Sequence, residues 1–332
     1  MSFSKPVRAR MAIVAVIRLC CAALIPMCAT TAPAADAPKK YTETVTTKSG
    51  AKISFDMALV PGGSFLMGSP DGEAGRKPHE GPQLKVRLDP FYLCTMETTM
   101  ELFLAYYAET GTGKKDVAEG EAPQSSAPPV PAGTDAVTGP TPVYGDLSMG
   151  FDKTHPAIGM TWHNATMFCQ WLSTKTGKKY RLPTEAEWEC AARDGNAGPF
   201  GDCKNPSELP DVAWFDSNSD RMPHPCGKKK PNSYGLFDMK GNVWEWVHDF
   251  YSPTAYQDAG PDKEIANPTG PKDGKVHVAR GGCYDSAEAE LRSAFRGFEE
   301  NWWRMNDPQI PKSKWWLPQM DIIGFRIARS AD

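Results

Sequence analysis

Pro231-Asn-Ser-Tyr-Gly-Leu-Phe-Asp-Met-Lys-Gly-Asn-Val-Trp-Glu-Trp246 is the stretch on which the reading of this chain turns. Its middle, Asp238-Met-Lys-Gly241, has turn chemistry: Asp first, to accept local backbone N–H groups, and Gly last, to tolerate a reversed backbone. Val243, Trp244, Glu245 and Trp246 follow with strand-forming character, and period-two alternation sets both indoles on one face with Glu245 on the other. Two readings of the acids stay open. Asp238 and Glu245, with the turn's carbonyls between them, could gather hard oxygens around one cation of the Ca²⁺ kind. Alternatively Asp238 serves the turn and Glu245 pairs with an arginine, and spacing by itself sides with this second reading.

Composition is that of a globular chain: 332 residues, 40% hydrophobic and 23% charged, enough for one large domain or two small ones. Residues 1–35 are set apart as an export signal. Lys5, Arg8 and Arg10 precede an apolar run from Met11 to Met27, and Ala32-Pro-Ala34 or Pro33-Ala-Ala35 offers a small-residue cleavage site. Removing it takes away Lys5, Arg8, Arg10 and Arg18 and no acids, so the formal charge moves from −3 to −7. A mildly acidic exported chain is a poor nucleic-acid binder. No second apolar run reaches the roughly 18 residues needed to span a bilayer, so the mature protein is expected to be soluble, periplasmic or secreted.

Six cysteines remain: Cys94, Cys169, Cys190, Cys203, Cys226 and Cys283. An even count in an oxidising compartment invites disulfides, but six thiols allow about 15 connectivities. Cys203 and Cys226, both in Pro/Gly-rich surroundings, are the preferred pair; Cys169 lies on an apolar helical stripe. Nothing has the Cys-x-x-Cys or His-x-x-x-His spacing of structural zinc.

In chain order, residues 36–52 read as a flexible lead. Strand-like runs follow at Ile53–Val60, Gly63–Gly68 and Leu84–Leu88. Thr98 with Glu101 forms a capping box that opens a first helix, with Phe103, Tyr106 and Tyr107 on one face and Gly111 as its stop. Residues 112–153 lose periodicity and gain Pro, Ala, Gly and Ser, as a long surface loop does. Asn164–Thr176 places Ala165, Phe168, Cys169 and Leu172 at helical spacing, and Thr184 with Glu187 caps a third helix. The remainder is loop-rich with short strands, so the fold class is α+β, in one domain over residues 53–330.

His155-Pro-Ala-Ile-Gly-Met-Thr-Trp162, Arg181-Leu-Pro-Thr-Glu-Ala-Glu-Trp-Glu189, the opening stretch, Arg280-Gly-Gly282 and Gly324-Phe-Arg326 together resemble the formylglycine-generating enzyme, or sulfatase-modifying factor, family, which also takes in domains of ergothioneine sulfoxide synthases and of a pyoverdine-maturation protein. The resemblance implies a compact domain with little regular secondary structure, related to the C-type-lectin-like fold. It also implies calcium, held by the side chains of Asp238 and Glu245 and the backbone oxygens of Gly241 and Val243. Trp244, Arg280, Tyr284 and His163 are candidates to line the family pocket.

Members that make formylglycine resemble oxidases in which two thiolates, five residues apart and downstream of Arg-Gly-Gly, hold copper(I) to convert a sulfatase cysteine into an aldehyde. Soft sulfur suits that ion. Aligned on Gly281 and Gly282, the two positions here are Ser286 and Leu291, neither able to act as a thiolate. Formylglycine generation by that route is therefore not expected, copper or iron is disfavoured, and a sulfatase is a disfavoured partner. Cys283 is the one nearby sulfur, so Cys283 and Ser286 are the catalytic candidates. Asp285, Glu288 and Glu290 would raise the Cys283 pKa and oppose thiolate character. A disulfide or an inert buried thiol are the alternatives.

Trp302, Trp303, Trp315 and Trp316 sit in a Pro- and Lys-rich insertion; they could stack on a glycan, and at least two of them are expected in the core. His79, His155, His163, His224, His248 and His277 show no metal-ligand spacing, and His163 and His248 lie near the matching motifs. The expectation is a diverged exported member of the family. The alternatives are a calcium-stabilised module binding a glycan or protein, or an oxygen-dependent metalloenzyme of the sulfoxide-synthase or pyoverdine-maturation type, which would need a histidine cluster.

Overall fold

The computed structural model describes residues 39–110, 151–260, 262–305, 307, 310, 312–317 and 320–331. The signal expected at residues 1–35 and nearly all of the loop expected at 112–153 fall outside them.

Alternating polarity builds the first sheet. Strands β1 (Lys40–Thr46) and β2 (Lys52–Val60) form an antiparallel hairpin in register from Lys40 opposite Ala58 to Thr46 opposite Lys52. The flexible lead expected over 36–52 is thus corrected: Lys40–Thr46 is a strand. Its inward positions are Tyr41, Glu43 and Val45, and the acid among them hid the alternation. Glu43 is tolerated inside because Tyr180 Oη and Lys178 Nζ donate to its Oε2 at 2.6 and 2.5 Å.

β3 (Gly63–Met67) and β4 (Leu84–Leu88) pair antiparallel. β5 (Phe91–Cys94) lies beside β2. Helix α1 (Met100–Thr110) starts later than Thr98 implied. The expected capping box does not form: the Glu101 N–H goes to Lys153 O at 3.0 Å, and Thr98 Oγ1 has no partner among the described residues. The cause is tertiary, since residues 153–157 run alongside and the Met100 N–H bonds His155 O at 2.8 Å. Helix α2 (Trp162–Thr176) is capped by Thr161 and ends at left-handed Gly177, with Ala165, Phe168, Cys169 and Leu172 buried as expected. Helix α3 (Glu185–Arg193) carries the predicted Thr184–Glu187 capping box, reinforced by Arg181 gripping Glu187 at 2.6 and 2.7 Å.

After a short α4 (Leu209–Val212) the opening stretch delivers β6 (Trp244–Phe250), then α5 (Ala255–Ala259), β7 (Ile265–Ala266), β8 (His277–Arg280), β9 (Gly297–Phe298), β10 (Ile323–Phe325) and β11 (Ala328–Ser330). Three sheets result, ordered β1-β2-β5-β11, β10-β6-β8-β9 and β3-β4-β7. β11 is antiparallel to β5, while the N–H and C=O of Ala328 exchange bonds with Arg181 at 2.8 and 2.9 Å. One core gathers Trp246, Phe325, Phe103 and Phe168; another gathers Trp188, Val86 and Val278.

The six cysteines among the described residues are free thiols, so the expected Cys203–Cys226 bridge is corrected. Cys203 packs with Phe200, Leu209 and Leu291, whereas Cys226 lies against Glu97, its N–H on Thr154 O at 2.9 Å. No helix among the described residues is long and apolar enough to cross a membrane.

Candidate functional site: an aromatic groove and a buried carboxylate cluster

Glycines shape the groove. Gly281 and Gly282, at φ 99° and 75°, turn the chain out of β8. A Cβ on Gly282 would meet Leu291 Cδ2 at 2.8 Å, and one on Gly297 would meet Trp244 Cζ3 at 2.7 Å. Trp244 therefore lies flat across β9 and faces a cavity of about 630 Å³ that Cys283, Ser286, Phe295, Phe298, Trp302 and Trp303 also line.

At one end Cys283 Sγ stands 3.7 Å from Ser286 Oγ, which accepts the Cys283 N–H at 3.1 Å. Burial, with Glu290 and Asp285 adding to it, pushes the Cys283 thiol up to about 11. The thiol is therefore protonated at neutral pH and a weak nucleophile. Leu291, 1% exposed, turns into the small cluster with Phe200 and Cys203 and does not line the cavity. One protonated sulfur, one hydroxyl and one alkyl chain do not fit copper(I) in a two-thiolate clasp.

The other end was invisible in the sequence. His79 Nδ1 and Tyr251 Oη are 2.6 Å apart, and Tyr251 stacks on Phe298 with centroids 3.9 Å apart. Burial and the Arg296 charge lower the His79 pKa. Arg296 grips Glu185 at 2.7 and 3.0 Å and donates to His79 O at 2.8 Å. Glu185 belongs to a buried chain of ion pairs, Arg193–Glu189–Arg280–Glu185–Arg296, that fixes α3 to β8 and to the groove wall. His79 was one scattered histidine among six, and no local spacing linked it to Tyr251, 172 residues away.

Of the expected pocket residues, Trp244 lines this cavity, while Arg280, Tyr284 and His163 lie outside its lining. The Arg280 guanidinium is fully buried on Glu189 and the carbonyls of Ser293 and Phe295. Tyr284 is buried, with its backbone carbonyl on Ser219 Oγ at 2.7 Å. His163 lies on the outer face of α2 against Trp315, centroids 5.0 Å apart. Trp303 and Trp316 are core residues, as expected of two of the four tryptophans, while Trp302 is half exposed.

The opening stretch forms a second centre behind the groove. Gly241 (φ 73°) has Trp214 O so close that a Cβ would lie 1.9 Å from it, which only glycine permits. Three carboxyl groups meet there within the fold, Glu97, Asp238 and Glu245, all at 2% exposure or less. Glu245 spends both oxygens on Arg326, Nη2 to Oε1 at 2.5 Å and Nε to Oε2 at 2.7 Å, and takes Trp188 Nε1 at 2.7 Å. Glu245 thus makes the arginine pair that spacing favoured, with Arg326 arriving from 81 residues downstream. Asp238 Oδ2 accepts the Gly227 N–H at 2.6 Å and Glu97 Oε1 accepts Asn242 Nδ2 at 3.0 Å. Asp238 Oδ1 and Glu97 Oε2 have no hydrogen-bond partner among the described residues. Three acids against one guanidinium leave excess negative charge; burial and then the Asp238 charge lift Glu97 well above the usual carboxylate range, and burial also raises Asp238. Two open, hard oxygens in a negatively charged pocket fit a calcium ion, which also accepts backbone carbonyls. Among the described residues no three His, Cys, Asp or Glu side chains are arranged to hold a metal ion, so calcium there would take most of its ligands from backbone oxygens.

The sequence profile of a sulfatase-modifying factor enzyme 1-like domain matches residues 42–308. The chain is similar to a serine/threonine-protein kinase pkn1 of Chlamydia pneumoniae, 34% identical over 245 residues, which are 74% of this chain and 35% of that protein; it thus spans about a third of that relative's length. It is 32% identical over 314 residues to a formylglycine-generating enzyme of Streptomyces coelicolor, covering 82% of this chain and 88% of the relative. The solved structure of PvdO from Pseudomonas aeruginosa matches at TM-score 0.60 and 28% identity, over 83% of this chain and 94% of that one.

Proposed function

This chain belongs to the sulfatase-modifying factor enzyme 1-like family, and from that premise we propose that it is an exported, calcium-holding member that has left copper-thiolate oxidation behind and uses its aromatic groove to bind a ligand. The observation that carries the reading is the end of the groove, where Ser286 and a turned-away Leu291 stand in place of a thiolate pair and Cys283 is held protonated. The chemistry left to this chain is positioning. Phe298 and Trp244 supply flat apolar faces, and Arg296 and His79 fix the wall. Calcium would be held by Asp238 and Glu97 with the backbone oxygens of Gly241 and Val243, and would supply neutralising charge to the turn that carries β6.

A second reading, a module that docks a glycan or protein, draws support from Trp302, Met305 and Ile310, which are 50, 72 and 96% exposed on the insertion beside the groove. The deciding experiment is co-expression with a sulfatase bearing Cys-x-Pro-x-Arg, followed by peptide mass analysis and metal analysis of the purified protein. Expected are an unmodified cysteine, no stoichiometric copper, and calcium. An aldehyde that vanishes on Cys283→Ala would sink the proposal. Export is checked by the mature N-terminus, expected after residue 34 or 35; full-length protein retained in the cytoplasm would reject that part.

A further inference from the structure

The turn that carries Cys283 and Ser286 is tied to the segment that would serve the buried cation. Asn242, between Gly241 and Val243, accepts the Tyr284 N–H on its carbonyl at 2.8 Å, and the Gly241 N–H donates to Gly281 O at 2.9 Å. The Asn242 side chain, 0% exposed, reaches the carboxylates. Its Nδ2 donates to Glu97 Oε1 at 3.0 Å and to His224 O at 3.2 Å, while its Oδ1 accepts the His224 N–H at 2.9 Å. Its φ of 58° is a left-handed value that a residue other than glycine keeps only where its surroundings hold it. Those side-chain bonds, with the Asn242 N–H on Trp214 O at 2.8 Å, do so here. Beyond Asn242 the turn closes on itself: Ser286 Oγ takes the Cys283 N–H, the Ser286 N–H bonds Cys283 O at 3.0 Å, and Tyr284 O accepts Ser219 Oγ at 2.7 Å. One residue thus touches both centres. Its side chain ends on Glu97, whose other oxygen is open, and its main chain ends on the residue between Cys283 and Asp285.

We propose that Asn242 is a positioning residue that couples the two centres, so that a divalent cation held at Glu97 and Asp238 fixes the Cys283–Ser286 turn and with it that end of the groove. The ion supplies the positive charge that lets two buried carboxylates stay together. Without it the like charges repel, Glu97 draws away from Asn242 Nδ2, and the carbonyl that holds Tyr284 loses its fixed direction. This rests on the calcium reading above and adds what the ion controls. It also gives Tyr284 a part in the groove without a place in its lining.

The test follows alkylation of single cysteines by iodoacetamide in the folded mature chain, with calcium or with chelator, read by peptide mass analysis. Cys283 reports the turn, Cys226, against Glu97, reports the cation centre, and Cys169, in the core on α2, reports opening of the whole domain. In chelator Cys226 and Cys283 are expected to react at least about fivefold faster than in calcium, and well ahead of Cys169, which marks local opening. Asn242→Gly keeps the left-handed backbone and removes the side chain. Cys283 should then react fast in both buffers while Cys226 still answers to calcium. A Cys283 rate that ignores calcium in the wild type while Cys226 answers, or one that moves in step with Cys169, overturns the coupling. So does a Cys283 response that survives in the variant; should the variant not fold, the wild-type comparison decides. Silence of both Cys226 and Cys283 removes the calcium reading and the coupling with it, so the two failures are distinguishable.

Discussion

Arg326 and Glu245 form a bidentate pair, 2.5 and 2.7 Å, at 0 and 1% exposure, joining the β10–β11 junction to the strand that floors the groove. Arg326 also donates to the carbonyls of Phe237, Asp238 and Cys94, so one side chain closes the turn, β5 and β6 together. Removing one partner strands the other charge in the interior. Arg326→Met is expected to cost about 3–5 kcal/mol in denaturant unfolding, and Arg326→Met with Glu245→Gln to cost less than the first alone. A single-variant loss below about 1 kcal/mol would refute the assignment.

Asp249 supplies a pH dependence between about pH 4 and pH 8. Burial, then the nearby Glu185 charge, pushes its carboxyl up to about 8, while its Oδ2 accepts the Glu185 N–H at 2.8 Å. Its folded value lies above its unfolded value near 4, so the stability it contributes is whole below about pH 4 and is lost as pH rises towards 8. Asp249→Asn keeps the accepting oxygen and removes the titration. Unfolding of the two proteins at pH 5 and pH 8.5 should show the wild type losing at least about 1.4 kcal/mol relative to the variant, the worth of one pKa unit. Parallel curves would count against it.

Calcium should stabilise through Asp238 and Glu97. An ion that binds only the folded chain raises its melting point with concentration. Melting in millimolar calcium is expected several degrees above melting in chelator, and Asp238→Asn or Glu97→Gln should remove most of that difference. Identical melting in both buffers for the wild type would remove calcium from the description.

Gly297→Ala tests the packing of the floor. Its new methyl would sit 2.7 Å from Trp244 Cζ3, so the indole must tilt into the cavity. The expected result is a loss of roughly 1–3 kcal/mol with a shifted tryptophan emission, the signature of overpacking. An unchanged spectrum and melting curve would place Trp244 elsewhere.

Local chemistry was legible in the sequence and long-range chemistry was not. Thr184 and Glu187 announce their helix because a capping box is complete within four residues, and the buried stripe of α2 shows its own period. Glu43 disguised β1 because its partners, Tyr180 and Lys178, lie over 130 residues away. Thr98 misled for the same reason, since residues 153–157 take over the bonds a cap would make. The site divides likewise. Trp244, Cys283 and Ser286 fall in motifs, while His79, Tyr251, Phe298 and Arg296 become neighbours only through the fold, and Glu245 chose an arginine that spacing could not identify.

The edge strand β11 has a bearing on biogenesis. It comes far later in the chain than either partner, yet it hydrogen-bonds both β5 and Arg181 and follows Arg326 by two residues. Residues 91–94, paired with β2 on one side, and Arg181 must therefore wait with one edge open until residues 326–330 arrive. A chain still held at residues 326–330 keeps that edge open, and a nonsense codon anywhere before Ile327 removes the strand that closes it.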